Sequence, residues 1–265
     1  MTEIREQIRA YWQDPNTRSL IDENLRKLEE SCVTRYLEPN FTIVDVGCGD
    51  GYSTFEYASR VRNCLGLEQS DLLRSRAEER FAQAGVGNTR FMAGDIMDLS
   101  SVKDRFDLAI TQRVLINLTS WEEQKAAIDN VRSLLRPGGI YVMIENTYEG
   151  HDALNEYRVA LGMEKIPKHW HNLYFHHSEL LHHLNQRFHV LAHHSFNLYY
   201  LLTRVFMNQV ASFKGFGKDA VKDPIFETAD AAARRMQEAL GSRLSVGDSP
   251  SLGPIQAFIL RRVSE

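Results

Sequence analysis

The segment VDVGCGDG, residues 44–51, constrains the fold more than any other part of the chain. It joins a short apolar run, FTIVDV (41–46), to a stretch over 52–61 that suits a helix. β-Branched residues dominate the run, as in strands buried on both faces of a parallel sheet. Gly47, Gly49 and Gly51 then let the backbone turn tightly and let a ligand come close to it. The free N–H groups that open the following helix face the same crevice. Strand, glycine turn and helix form the opening unit of a doubly wound sheet.

The unit recurs. CLGLE (64–68) reads as a second strand, and Ser70 caps a helix bearing Leu72, Leu73, Ala77, Phe81 and Ala84 that Gly85 closes. TRFMAG (89–94) and FDLAIT (106–111) read as the third and fourth strands. Ser120 and Glu123 have capping-box spacing, ahead of a helix with Ile128, Val131, Leu134 and Leu135. Pro137-Gly138-Gly139 turns into a fifth strand, IYVMIE (140–145). Upstream, Ile21, Leu25, Leu28, Cys32 and Tyr36 give one apolar stripe to a helix over 17–37, which Pro39 ends. After 145 the rhythm changes. Residues 152–162 read as helix, and Ser178 caps a short helix to about Arg187. FHVLAHHSF (188–196) reads as a strand, 197–250 as largely helical, and PIQAFILRR (254–262) as the last strand. Strands alternating with helices predict an α/β, Rossmann-like, doubly wound sheet with a parallel core.

The loop spacing narrows the ligand. G-x-G-x-G is neither the dinucleotide fingerprint nor a phosphate-binding P-loop, and no lysine follows it. Asp45 beside the loop would repel a pyrophosphate and suits an ammonium group. Glu68, ending the second strand, suits both ribose hydroxyls. Asp95 after the third strand suits an adenine amino group, with Ile96 packed on the ring. Three acids at three successive strand ends point to a nucleoside with a cationic tail and no phosphate.

With VDVGCGDG, LGLEQS, AGDIMDL, FDLAIT and LLRPGGIYVMIE in this order, the chain resembles the class I S-adenosylmethionine-dependent methyltransferases. The resemblance implies a seven-stranded sheet with the last strand antiparallel and S-adenosylmethionine as cofactor. It implies that Asp45, Gly47, Gly49, Glu68, Asp95 and Ile96 line the cofactor site. Cys48 in the loop, Gln69 beside Glu68 and Gln112 after the fourth strand complete the expected set. Tyr11-Trp12 either closes over the cofactor or anchors a helix by packing, and Tyr11 is carried as a cofactor contact.

Composition limits the remaining classes. The 265 residues are 25% charged and 43% hydrophobic, ordinary globular values, and suffice for a core without disulfides or metal. The net charge of −4 and the lack of any lysine/arginine block speak against a nucleic-acid partner. No apolar run reaches the about 18 residues of a membrane span. MTEIREQIRAYW is charged where a secretory leader is apolar, so a cytoplasmic location is expected. Cys32, Cys48 and Cys64 form no C-x-x-C, so no disulfide framework or cysteine zinc site is indicated.

Absent motifs narrow the acceptor. Thr111-Gln112-Arg113-Val114 stands where nucleobase amino-methylating enzymes have [DNS]-P-P-[YFW]. No cysteine follows a proline, and Asp107 starts the fourth strand where metal-dependent catechol enzymes have an aspartate ending it. Metal-free transfer to an oxygen or nitrogen remains. Residues 1–40 read as an N-terminal helical cap on a methyltransferase domain over 41–265. Two additions, about 146–187 and 197–250, are expected to form a mostly helical lid, a dimer interface being the alternative. TQRVLINL, WEEQKAAI and the late GD-x-x-x-LGP are similar to enzymes that O-methylate sugars and other natural products. That likeness implies a small-molecule, sugar or peptide acceptor, taken through a hydroxyl or carboxylate. N-methylation, peptide-carboxylate methylation and non-catalytic cofactor binding stay open, as does a homo-oligomer. Arg113, Arg158 and Arg204 are candidate acceptor anchors, because a guanidinium fork matches a carboxylate.

Nine of the ten histidines lie between His169 and His194. Helical and strand geometry scatter them: His182 and His183 are expected toward solvent, and His189, His193 and His194 alternate along a strand. No metal site is expected. In the loop His169-Trp170-His171-Asn172-Leu173-Tyr174, His171 is the candidate base or orienting group, with Tyr174 and Glu145 beside it.

Overall fold

A computed structural model describes residues 3–17, 22–213, 224–241 and 251–263. Seven strands form one sheet: β1 (Thr42–Val46), β2 (Asn63–Glu68), β3 (Thr89–Ala93), β4 (Phe106–Gln112), β5 (Leu135–Asn146), β6 (Phe188–Ser195) and β7 (Ile255–Arg262). Their order is β3-β2-β1-β4-β5-β7-β6. The first five are parallel, and β7 lies antiparallel between β5 and β6. The expected sheet and its reversed last strand are therefore present. The order reverses between β1 and β4, and an open α/β sheet takes its ligand at that crevice.

Alternation along β1 sends Ile43 into one apolar layer and Val44 and Val46 into the other, so helices pack on both faces. Val33, Ile43, Leu108, Ile128 and Val142 are all fully buried, each contributing about 1.5–3 kcal/mol over exposure. On the sheet's flanks lie α1 (Glu3–Gln13), α2 (Glu23–Thr34), α3 (Tyr52–Ala58), α4 (Asp71–Ala84), α5 (Trp121–Leu134), α6 (Tyr148–Ala160) and α7 (His177–Asn185). Between β6 and β7 come α8 (Asn197–Tyr200), a π-helical turn (Leu201–Phe206), α9 (Met207–Phe213) and α10 (Pro224–Leu240). No helix among the described residues is long and apolar enough to cross a membrane.

Helix ends follow the expected chemistry in part. Ser70 Oγ accepts the Leu73 N–H, and Gly85 closes α4 at φ 67°. Ser120 Oγ accepts the Glu123 N–H, but Glu123 reaches back to the Thr119 N–H and hydroxyl at 2.8 Å rather than to Ser120. Ser178 lies inside α7 and does not cap it; Glu149 of α6 accepts the His177 N–H at 2.9 Å instead. The helix expected over 17–37 is shorter. Asp22 caps α2, Tyr36 lies beyond its end, and Ile21 lies outside the described residues. Tyr11 and Trp12 stand within α1, not ahead of a helix.

Candidate functional site

A cavity of about 820 Å³ opens over the carboxyl ends of β1 to β5. The glycine loop forms its floor. Gly47 adopts φ +75°, and its N–H donates to Leu67 O at 2.7 Å, which ties the loop to β2. A Cβ there would meet Val114 Cγ2 at 2.5 Å, so only glycine fits. Gly49 adopts φ +58°, and a Cβ there would enter open space within the cavity. The cradle therefore leaves room where a ligand would lie against the backbone.

Three acids face this flank. Asp45 is 4% exposed, its carboxylate accepts the Thr54 hydroxyl at 2.6 Å, and burial pushes its pKa up to about 6. Glu68 accepts the Gly49 N–H at 2.9 Å and the Ser70 N–H at 2.8 Å. Burial raises its pKa while those two N–H groups, the Gln69 N–H and the Arg74 charge pull it down. Asp95 accepts the Met97 N–H at 2.9 Å, and Arg9 of α1 stands 3.7 Å away. Cys48, Gln69 and Ile96 also line the cavity. Tyr11 and Trp12 line it too, and they also fix α1. The Trp12 indole N–H donates to Asn117 at 3.2 Å, and the Ser70 hydroxyl donates to Trp12 O at 3.0 Å. These contacts anchor α1, and its aromatic pair lines the cavity from the same helix.

On the β4 side, charges expected for the acceptor are already paired. Gln112 lines the cavity, but its amide donates to Glu29 and accepts the Tyr57 hydroxyl at 3.0 Å. Arg113, at φ 57°, gives its guanidinium to Glu29, a fully buried carboxylate of α2. Arg204 pairs with Asp22, the residue that caps α2. Arg158 does not line the cavity; it donates to the Glu164 and Arg204 carbonyls and to Asn208, binding α6 to the insertion. The sequence stripe of α2 showed its apolar face but not that Glu29 and Asp22 would claim these arginines.

Glu145 also departs from its expected place. It is fully buried and absent from the cavity wall. Its carboxylate accepts the N–H groups of Val114, Leu115 and Ile116 at 3.1, 3.0 and 3.3 Å, capping the turn Leu115–Asn117. Burial outweighs those bonds and raises its pKa to about 7. It holds the loop after β4 and does not face the cavity.

His171 and Tyr174 do come together on the cavity wall. The imidazole lies 4.6 Å from the Tyr11 ring and is 8% exposed. Burial, then the neighbouring His169, hold its pKa below the ordinary value, so it is neutral at pH 7. Burial pushes the Tyr174 hydroxyl up, against the pull of the Asn146 and Asn172 amides. Those two asparagines line the cavity and went unnoticed in the sequence; their positions directly after Glu145 and His171 were the available signal. The other histidines scatter. His182 is exposed, whereas His183, expected in solvent, is buried against Trp121 at 5.6 Å. No group of three or more histidine, cysteine or acidic side chains is placed to hold a metal among the described residues.

The sheet order and reversed last strand define the class I methyltransferase fold. Residues 43–139 match the family model of a methyltransferase domain. An uncharacterized methyltransferase, YcgJ of Bacillus subtilis, is 24% identical over 127 residues, 48% of this chain and 49% of that one. The chain spans about half the length of that curated relative. N-methyltransferase NodS from Bradyrhizobium japonicum, solved with S-adenosyl-l-homocysteine, superposes with TM-score 0.56 at 14% identity, covering 99% of this chain and all (100%) of that one. Haemonchus contortus phosphoethanolamine N-methyltransferase 1 superposes with TM-score 0.64 at 16% identity, covering 100% of this chain and 50% of that one. At these identities the likeness is one of fold.

Proposed function

We propose that the chain is an S-adenosylmethionine-dependent methyltransferase that transfers the methyl group to an oxygen of a small polar or natural-product acceptor. One observation carries the reading: Asp45, Glu68 and Asp95 stand at or just past the carboxyl ends of three adjacent strands and line one cavity that also holds an open glycine cradle. The site fits the cofactor's chemistry, since buried acids suit an ammonium group and ribose hydroxyls, and no cationic P-loop lysine is present. S-adenosylmethionine supplies a sulfonium methyl group for in-line transfer.

The residues of the chain then divide the work. Glu68 keeps lone pairs beyond the two N–H groups that it accepts, because an ionised carboxylate offers about four sites. Asp45, held by Thr54, presents a charge to an ammonium group. α1 and the loop bearing His171 form one side of the cavity. His171, neutral at pH 7 and half of the Tyr11–His171 ring contact, takes the proton of an acceptor hydroxyl in this reading. Two measurements test the reading. Calorimetry should show S-adenosylhomocysteine binding, and turnover with hydroxyl acceptors should release it. His171→Ala should lower kcat about 10²- to 10⁴-fold with cofactor affinity retained. Unchanged turnover in that variant would remove His171 from the chemistry.

A further inference from the structure

The acceptor flank holds buried polar atoms with no partner. Asn146 Oδ1, Asn172 Oδ1 and His171 Nδ1 make no hydrogen bond, although Asn146 is 6% and the other two are 8% exposed. All three residues line the same cavity. A buried polar atom left unpaired is destabilising, and native proteins rarely carry three together without a reason. Two of the three are amide oxygens, which only accept. A ligand that satisfies them must donate.

Charge narrows the ligand further. Arg113 and Arg204, which line the cavity, are paired with Glu29 and Asp22, and Lys168 beside the flank gives its ammonium to the Asn172 carbonyl at 2.6 Å. A carboxylate acceptor would have to compete with those acids. Conversely, among the described residues the cavity wall contributed by β5, α6, the loop 161–176 and the β6–β7 insertion contains no carboxylate. An ammonium-bearing acceptor would find no counter-charge on that wall. Aromatic surface completes it: Tyr174 and Tyr200 are buried there, and the Tyr11 ring lies across from His171. Such rings offer apolar faces with polar edges.

We propose that this flank is a subsite for a neutral, hydroxyl-bearing acceptor whose O–H groups donate to Asn146 and Asn172, with the methylated hydroxyl directed to His171. The inference rests on the transfer reading above and selects a hydroxyl over a carboxylate or an amine. During transfer the acceptor oxygen gains the methyl carbon, the carbon–sulfur bond breaks with its electron pair returning to sulfur, and the hydroxyl proton passes to His171.

Matched trios test it with the full chain saturated with S-adenosylhomocysteine. The probes are methyl glucoside, glucuronate and glucosamine, and benzyl alcohol, benzoate and benzylamine, followed by saturation-transfer NMR and competition titration. The hydroxyl member of at least one trio should bind about tenfold tighter than its acid and amine partners, the scale of one satisfied buried hydrogen bond. Asn172→Asp should move the preference to the amine, because it adds the missing counter-charge. If that variant does not bind S-adenosylhomocysteine, Asn146→Asp takes its place. Tighter binding of an acid or amine by the unmodified protein overturns the inference. So does binding of no probe while S-adenosylhomocysteine is bound. Failure to bind S-adenosylhomocysteine at all overturns the methyltransferase reading instead.

Discussion

Two buried glutamates sit on opposite sides of the β1–β4 crevice, Glu68 ending β2 and Glu145 near the end of β5. Burial raises the pKa of both, and both accept backbone N–H groups. Glu68 accepts two, from residues flanking the cavity floor, and itself lines the cavity. Glu145 accepts three from consecutive residues and is sealed from it. An acid at a strand end is therefore available to a ligand only when the neighbouring backbone leaves it lone pairs and an opening. The same residue type otherwise becomes a cap.

That contrast can be broken by mutation. Glu145→Ala leaves three buried N–H groups without an acceptor, at about 1–3 kcal/mol each. Urea unfolding should show a loss of about 3 kcal/mol or more, and a loss below about 1 kcal/mol would mean that the turn finds other acceptors. Glu68→Ala should act mainly on the ligand. Cofactor affinity should fall by about 1.5–3 kcal/mol, the scale of charge-assisted bonds, or roughly tenfold to a hundredfold. Equal stability losses in the two variants with unchanged affinity would erase the distinction between cap and site.

Asp45 sharpens the cavity side. With a pKa near 6, it is ionised at neutral pH and protonated below that value. A cationic ligand tail needs the ionised form. Affinity for S-adenosylhomocysteine should thus fall by up to about tenfold per pH unit as pH drops below 6. Asp45→Asn should flatten the profile. A profile equally steep in that variant would assign the titration to another group.

How much of this was legible in the sequence follows the same division. The β1–β5 half announced itself because each strand, turn and cap is a local pattern: GCGDG, Ser70 with Gly85, and acids at strand ends all sit within a few residues of what they contact. Glu145 looked like a member of that series, since its partners, Val114 to Ile116, lie about 30 residues away. Arg113 and Arg204 looked like anchors for the same reason. Their acids, Glu29 and Asp22, come from α2, 84 and 182 residues distant in sequence. His183 was missed by helical geometry because Trp121 extends the buried stripe to its margin. Contacts between residues far apart in the sequence, which no local pattern encodes, decided each of these cases.

The smallest effect probes the cap itself. Glu145→Gln keeps a carbonyl to accept N–H groups but cannot titrate. Folding raises the Glu145 pKa from 4.5 to about 7, so the folded state binds that proton more tightly. The stability this proton contributes is fully present below pH 4.5 and is lost as pH rises through about 7. The stability of the unmodified protein relative to Glu145→Gln should therefore decline over that window, by at most about 1.4 kcal/mol per pH unit. The opposing influences are the three N–H bonds and, after them, Arg113, whose charge also pulls the Glu145 pKa down. Its guanidinium is committed to Glu29, which limits that pull. A stability gap that widened with pH would show the N–H bonds and the Arg113 charge together prevailing over burial, and Glu145 would then be a cap held in its ionised form rather than one that resists ionisation.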